Sequence, residues 1–434
     1  MNRLWNFKTH KDYYMKLTTL HSVLMSALLA ALCMSAPVCR AASPVAPAGS
    51  TKAAALTDKQ IENIVDLHRP LLGGKIPADI KQRLGVTHMG GKYFLTEEPY
   101  IIEGSRKIRE LGFTTAKYFL SLPDKQGGIN GYLYNSDWRL APKASYVDVL
   151  SHPYFIEAFD CGQECIVLNV GGLGKLRNSP SPDFTQTYDD MFSICKYLLE
   201  KYRDRPVSFI LKNWEGDWMM RGLGTKRAEW MAVPAERREL IVRNMTAWFA
   251  TRQKAVTDAR NAVPKTKAKV FYAIEANQVT ESMGGATGIA SDVLPAMEVD
   301  MVSWSCYEGL RDVKKLYRGF EYLRTQMRPT PYMNGERRVM IGEVGFHEAR
   351  IPNTVELWDK FFGVCFALDV PLIIDWELYC NEPIDKDTKK NTDGRVYAAE
   401  ELRGMWLLRP DGSKSETCHY WQKLLANPGR SIVK

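Results

Sequence analysis

The chain has 434 residues, 45% of them hydrophobic and 25% charged, a globular composition with chain enough for one large core. The formal charge of +8 falls to about +4 without residues 1–41; with no Lys/Arg patch interleaved with aromatics, this gives no argument for a nucleic-acid partner. Setting aside Cys33 and Cys39, seven of the nine cysteines remain, an odd number that argues against a full disulfide framework, and no Cys/His cluster has zinc spacing.

In chain order, residues 1–41 read as a signal peptide. Leu20 to Ala36 is an apolar run preceded by Lys16, and Cys39-Arg40-Ala41 offers small residues where a signal peptidase reads. The working start is placed at Met15, because Met1 to Tyr14 holds charged and aromatic residues that such a signal does not need. The run is short and ends in Pro37, so no membrane span is expected in the mature protein, and the expected location is secreted or periplasmic. Residues 42–78 read as a linker rich in Ala, Pro, Gly and Ser followed by a helix, opened by the capping box Thr57 to Gln60 and running through Leu67.

From residue 79 to 430 strands and helices alternate. Strands are expected at Gly85–His88, Phe113–Leu120, Cys165–Val170, Val207–Asn213, Lys269–Ile274, Met301–Tyr307, Val339–Gly342 and Pro371–Trp376. Helices are expected between them, at Glu97–Leu111, Tyr146–Phe159, Asp183–Tyr202, Ala235–Ala262, Ser291–Met297, Leu310–Met327 and Val355–Leu368, with a closing helix at Glu416–Leu425. Short apolar runs alternating with helices favour a parallel sheet, and eight such units favour a closed (β/α)8 TIM barrel. Cys161 and Cys165 lie too close in one segment for an easy disulfide.

Two glutamates stand where apolar runs stop, 128 residues apart. Glu215 follows the fourth run in Trp214-Glu215-Gly216-Asp217-Trp218, and Glu343 follows the seventh in Glu343-Val344-Gly345-Phe346. In a β/α barrel the carboxyl ends of the strands converge on one mouth, and two convergent carboxylates are the minimal equipment for cleaving a glycosidic bond. Trp214, Trp218, Trp304 and Trp376 fall at strand ends, where an indole face suits a sugar ring, whereas Trp248 and Trp358 fall on helices and read as core. His88 and Asn169 are further candidates for binding sugar hydroxyls. Glu275, Glu308, Asp375 and Glu377 read as hydrogen-bonding or structural carboxylates.

This order and spacing resemble the large clan of retaining (β/α)8 glycoside hydrolases called clan A, over about Ile80 to Leu425. The resemblance implies Glu215 as acid/base and Glu343 as nucleophile. It implies Tyr307, in Ser303-Trp304-Ser305-Cys306-Tyr307, as the nucleophile's neighbour and Trp376 as a floor for the sugar. The clan has Asn immediately before the acid/base; here Trp214 intervenes between Asn213 and Glu215. Strand alternation would still put Asn213 and Glu215 on one side, and Asp217 is the alternative acid. Asn381-Glu382-Pro383 copies the clan's acid/base tripeptide, but after the eighth strand. The expected function is hydrolysis of β-glycosidic bonds in a poly- or oligosaccharide, needing no cofactor or metal. The alternative is an exported, non-catalytic glycan-binding protein on a hydrolase-like barrel. A barrel lyase or isomerase ranks lower, since no phosphate loop, metal cluster or Schiff-base lysine is evident.

Overall fold

A computed structural model describes residues 56–333, 335–385 and 394–433; the expected signal peptide and most of the expected linker lie outside them. Eight parallel strands close a barrel in chain order, the last pairing with the first. They are β1 Leu84–Thr87, β2 Thr115–Leu120, β3 Cys165–Val170, β4 Ser208–Lys212, β5 Lys269–Ala276, β6 Met301–Ser305, β7 Val339–Val344 and β8 Ile373–Asp375. The expected TIM barrel is present. Two further short strands, Glu298–Val299 and Arg328–Pro329, pair with each other outside it.

Alternation along each strand separates two cores. Outward residues such as Ile166, Phe209, Tyr272, Val302 and Ile341 pack under the surrounding helices. Inward, Val167, Ile210, Ala273, Met301, Met340 and Ile374 form a small apolar plug. On the same parity, nearer the carboxyl ends, the inward residues become polar: Lys117, Asn169, Lys212, Glu275, Ser303 and Ser305 are all buried. The barrel is thus apolar below and charged near its mouth.

Local sequence explains where the helices differ from expectation. The helix expected over Tyr146–Phe159 is two, Tyr146–Leu150 and Pro153–Asp160, because Pro153 lacks an N–H and disfavours helix in the residue before it. Asp312 caps Val313–Gln326 by accepting from the N–H groups of Lys314 and Lys315, so this helix starts three residues later than the pattern suggested. Thr57 and Gln60 form the expected capping box of Asp58–His68. That helix is docked on the outside of the barrel by Lys314–Glu62 and Arg318–Asp58 ion pairs. Cys161 and Cys165 are both free thiols.

Candidate active site

Glu343 reaches the mouth through an irregularity in β7. Val339 and Ile341 face outward with the helix-side core, while Met340 joins the inner plug. Unbroken alternation would send Glu343 outward with them. The pairing with β6 instead jumps from Trp304–Ile341 to Ser305–Glu343, a bulge that re-aims the side chain inward. The bulge centres on Gly342, where a Cβ would stand 1.9 Å from Ser303 Oγ and 2.6 Å from Glu275 Oε2. Sequence reading ended this strand at Gly342; it continues to Val344, with Glu343 inside it.

Glu215 is positioned differently. β4 ends at Lys212, and Glu215 has φ of +23° as it opens the short helix Gly216–Arg221. The ladder to β5 is continued by side chains. Glu275 N–H donates to Asn213 Oδ1 at 2.9 Å and Asn213 Nδ2 donates to Glu275 O at 3.1 Å. The N–H of Glu215 donates to Glu275 Oε1 at 3.1 Å. Asp217 N–H donates to Asn277 Oδ1 at 3.0 Å, and Asn277 N–H donates back to Asp217 Oδ2 at 2.9 Å. Both heteroatoms of the Asn213 amide, expected to bind sugar, are engaged by the backbone of β5. Asp217 accepts additionally from the N–H groups of Gln278 and Ile289, so its carboxylate carries three backbone bonds and ties loops together.

The two glutamates have contrasting partners. Lys117 Nζ, fully buried, lies 3.0 Å from Glu343 Oε2 and 2.9 Å from Gly342 O, and Tyr307 OH donates to Glu343 Oε1 at 3.3 Å. The first partner of Glu215 is a neutral hydroxyl: Ser305 Oγ donates to its Oε1 at 2.7 Å. Burial, then the Glu343 charge, push the Glu215 carboxyl up to about 8, against the Ser305 hydrogen bond and the Lys212 charge. Below lies a second buried pair, Lys212 with Glu275, to which Ser303 Oγ also donates at 2.7 Å. Burial alone would raise the Glu275 carboxyl, but the charges of Lys212 and Lys117 hold it low. Burial brings the Lys212 ammonium down to about 8. Two ammonium groups thus face three carboxyls, which balance when one of the three keeps its proton.

Of the other expected residues, Trp376 lines this site, its ring 5.0 Å from Lys117 Nζ and edge-on to Phe119. Trp214 and Trp218 are half-buried beside Glu215, Trp218 with the Arg221 guanidinium 5.0 Å from its ring centre. Asn169 faces inward from β3, and neither heteroatom of its buried amide has a hydrogen-bond partner. His88 is not at the mouth: it lies behind β1 among Tyr100, Tyr132 and Tyr379, its Nε2 against Tyr100 O at 2.8 Å. Burial takes its imidazole down to about 4, which suits a neutral scaffold group. Trp304, expected to stack on sugar, points outward onto Phe320 and is wholly buried, because its neighbours Ser303 and Ser305 hold the inward positions. Glu308 accepts from Thr280 N–H at 2.9 Å. Glu382 pairs with Arg403 at 3.1 Å, so the tripeptide copy is tied within the loop after β8.

Lys117 and Lys212 were missed by the sequence reading. Their signal was lysine at an inward parity of a strand buried on both faces, where no solvated side exists and an internal carboxylate must pair it. Each is fully buried and ion-paired, which leaves neither amine open to a carbonyl substrate. Among the described residues no group of three or more His, Cys, Asp or Glu is arranged to hold a metal ion. A cavity of about 830 Å³ is at the opposite end of the barrel, between Asp79, Arg83, Ser208, Lys269 and Arg338, and contains neither glutamate. A smaller one of about 370 Å³ adjoins Tyr307, Phe346 and His347, on the side of the mouth. Glu215 and Glu343 retain 8% and 5% exposure.

No family model matches this chain, and no curated protein sequence matches it. Similar solved structures include a monomeric β-xylosidase from Caulobacter crescentus CB15, at 11% identity over 80% of this chain and 72% of that one, TM-score 0.44. A GH5 cellulase described as Bacteroidetes-affiliated has 12% identity over 84% and 93%, TM-score 0.46. Endo-glycoceramidase II from Rhodococcus sp. has 10% identity over 80% and 80%, TM-score 0.41.

Proposed function

We propose that this protein is an exported glycoside hydrolase of the clan A type that cleaves β-glycosidic bonds with retention, using Glu343 as nucleophile and Glu215 as acid/base. The observation that carries this reading is the unequal company of the two glutamates. Glu343 is ion-paired with the buried Lys117 ammonium. Glu215 is buried beside the Glu343 charge, and these two favour its protonated form against the Ser305 hydrogen bond and the Lys212 charge. Carboxyls whose surroundings push them apart in this way can divide acid and nucleophile between them.

In the first step Glu343 attacks the anomeric carbon while Glu215 gives its proton to the departing glycosidic oxygen, leaving a glycosyl ester on Glu343 and a free alcohol. In the second, Glu215 takes a proton from water, whose oxygen displaces the ester, and both carboxyls return to their starting states. Tyr307 and Lys117 stabilise the Glu343 carboxylate between turnovers. Trp376 offers a ring face and Asn169 an unfilled amide to a sugar hydroxyl. The apolar run before Cys39-Arg40-Ala41 supports export. The binding-only reading is favoured by the engagement of the Asn213 amide with β5, which removes the clan's contact to the 2-hydroxyl.

Chromogenic β-glycosides decide between the two: a binder releases nothing. For an enzyme, Glu343→Ala abolishes turnover of every substrate. Glu215→Ala loses about 10²–10⁴-fold on a natural sugar leaving group and little on a dinitrophenolate. Azide then rescues Glu215→Ala with a β-glycosyl azide and Glu343→Ala with the α-product. Equal losses on both leaving groups in Glu215→Ala would overturn the assignment.

A further inference from the structure

We propose that Glu275 is the positioning residue for Glu215: its carboxylate holds the Glu215 backbone N–H and, paired with Lys212, sets the charge balance around the Glu215 carboxyl. The inference rests on the reading of Glu215 as acid/base and extends it to a residue that never meets substrate.

The geometry leaves Glu275 no other task. It is wholly buried, Oε1 accepts from Glu215 N–H at 3.1 Å, and Oε2 accepts from Lys212 and from Ser303 Oγ. Its own backbone grips the same loop, through the two bonds to the Asn213 amide and through Gly216, where a Cβ would stand 2.5 Å from Glu275 O. Glu215 needs such holding because a non-glycine residue at φ of +23° is strained and persists only when its surroundings over-determine it. β7 makes room for the carboxylate with Gly342, whose Cβ would otherwise come within 2.6 Å of Oε2.

The charge argument follows from what faces Glu215. Glu343 comes from β7, Ser305 from β6 with Tyr307 just beyond it, Glu275 from β5, Lys212 from β4 and, behind Glu343, Lys117 from β2. Lys212 alone would draw the proton off Glu215; the Glu275 charge beside it offsets that pull. A neutral amide at 275 keeps an oxygen for the Glu215 N–H but leaves the ammonium uncompensated. A neutral pair, Met at 212 with Gln at 275, restores the balance.

The test is an infrared titration of the Glu215 carboxyl, read as the difference between each protein and its Glu215→Gln counterpart, so that it does not depend on activity. In Glu275→Gln the midpoint is expected to fall by about one pH unit or more, and in Lys212→Met/Glu275→Gln to return toward that of the unaltered protein. A midpoint unmoved in a folded Glu275→Gln protein overturns the proposal. Should that variant fail to fold, a double variant whose midpoint departs from the unaltered one by as much does the same. Kinetics on the same proteins separate the two readings. Glu275→Gln should lose activity mainly on poor leaving groups; a titration that shifts while no β-glycoside is turned over by the unaltered protein would sink the hydrolase reading alone.

Discussion

Lys117 Nζ sits 3.0 Å from Glu343 Oε2, with neither side chain more than 6% exposed. The two residues are far apart in sequence, and what joins them is the bulge at Gly342 that turns Glu343 into the barrel. Removing one member of a buried ion pair is costlier than removing both, because the survivor is left as an uncompensated charge.

Lys117→Met is therefore expected to destabilise the protein by about 3–5 kcal/mol in urea unfolding. Because the nucleophile loses its ion-pair partner, kcat/KM should fall for every substrate, good leaving groups included. Lys117→Arg, retaining the charge, should lose less. An unchanged kcat/KM in a folded Lys117→Met protein would show that the pair does not support the nucleophile.

Asp217→Ala separates the alternative acid from the proposed one. Its carboxylate accepts three backbone N–H bonds, and each buried donor left unpaired costs about 1–3 kcal/mol. The expected result is a lower melting temperature and an activity loss equal for dinitrophenyl and natural leaving groups. A loss confined to poor leaving groups, absent in Glu215→Ala, would transfer the acid role to Asp217.

Glu215 also gives the stability of the protein a signed pH dependence that needs no substrate to observe. Its carboxyl has an ordinary value of 4.5 and stands at about 8 in the fold. Between those values the folded state holds a proton that the unfolded chain has released, so stability falls as pH rises, by about 1.4 kcal/mol per unit. Glu215→Gln lacks that slope. The variant should be close to the unaltered protein near pH 4.5 and more stable by a few kcal/mol at pH 8, as read from urea midpoints across the range. A difference that does not grow with pH would mean that Glu215 titrates normally.

The architecture was legible in the sequence because a barrel strand buried on both faces is an uninterrupted apolar run, and its helix is a 3.6-residue pattern; both signals are local. Cys165 to Val170 was found to the residue. The strand ends carrying Glu215 and Glu343 were found for the same reason, together with Tyr307 and Trp376 beside them.

What the sequence did not decide was which way each side chain faces and what it meets. Period-2 alternation sends Glu343 outward with Ile341, and only the shift of register against β6 reverses it. It groups Asn213 with Glu215, yet the backbone of β5 takes the Asn213 amide. His88 and Trp304 stand at strand ends like true mouth residues, but their parity turns them into the outer core. Lys117 and Lys212 lie in ordinary apolar strands, and their importance comes from carboxylates contributed by strands 226 and 63 positions further along the chain. Runs and periods are properties of neighbours in sequence, so the chain alone determined the barrel and its rim. Charge pairing, and with it the division of labour between two glutamates, depends on distances across the closed barrel, which only the tertiary structure decided.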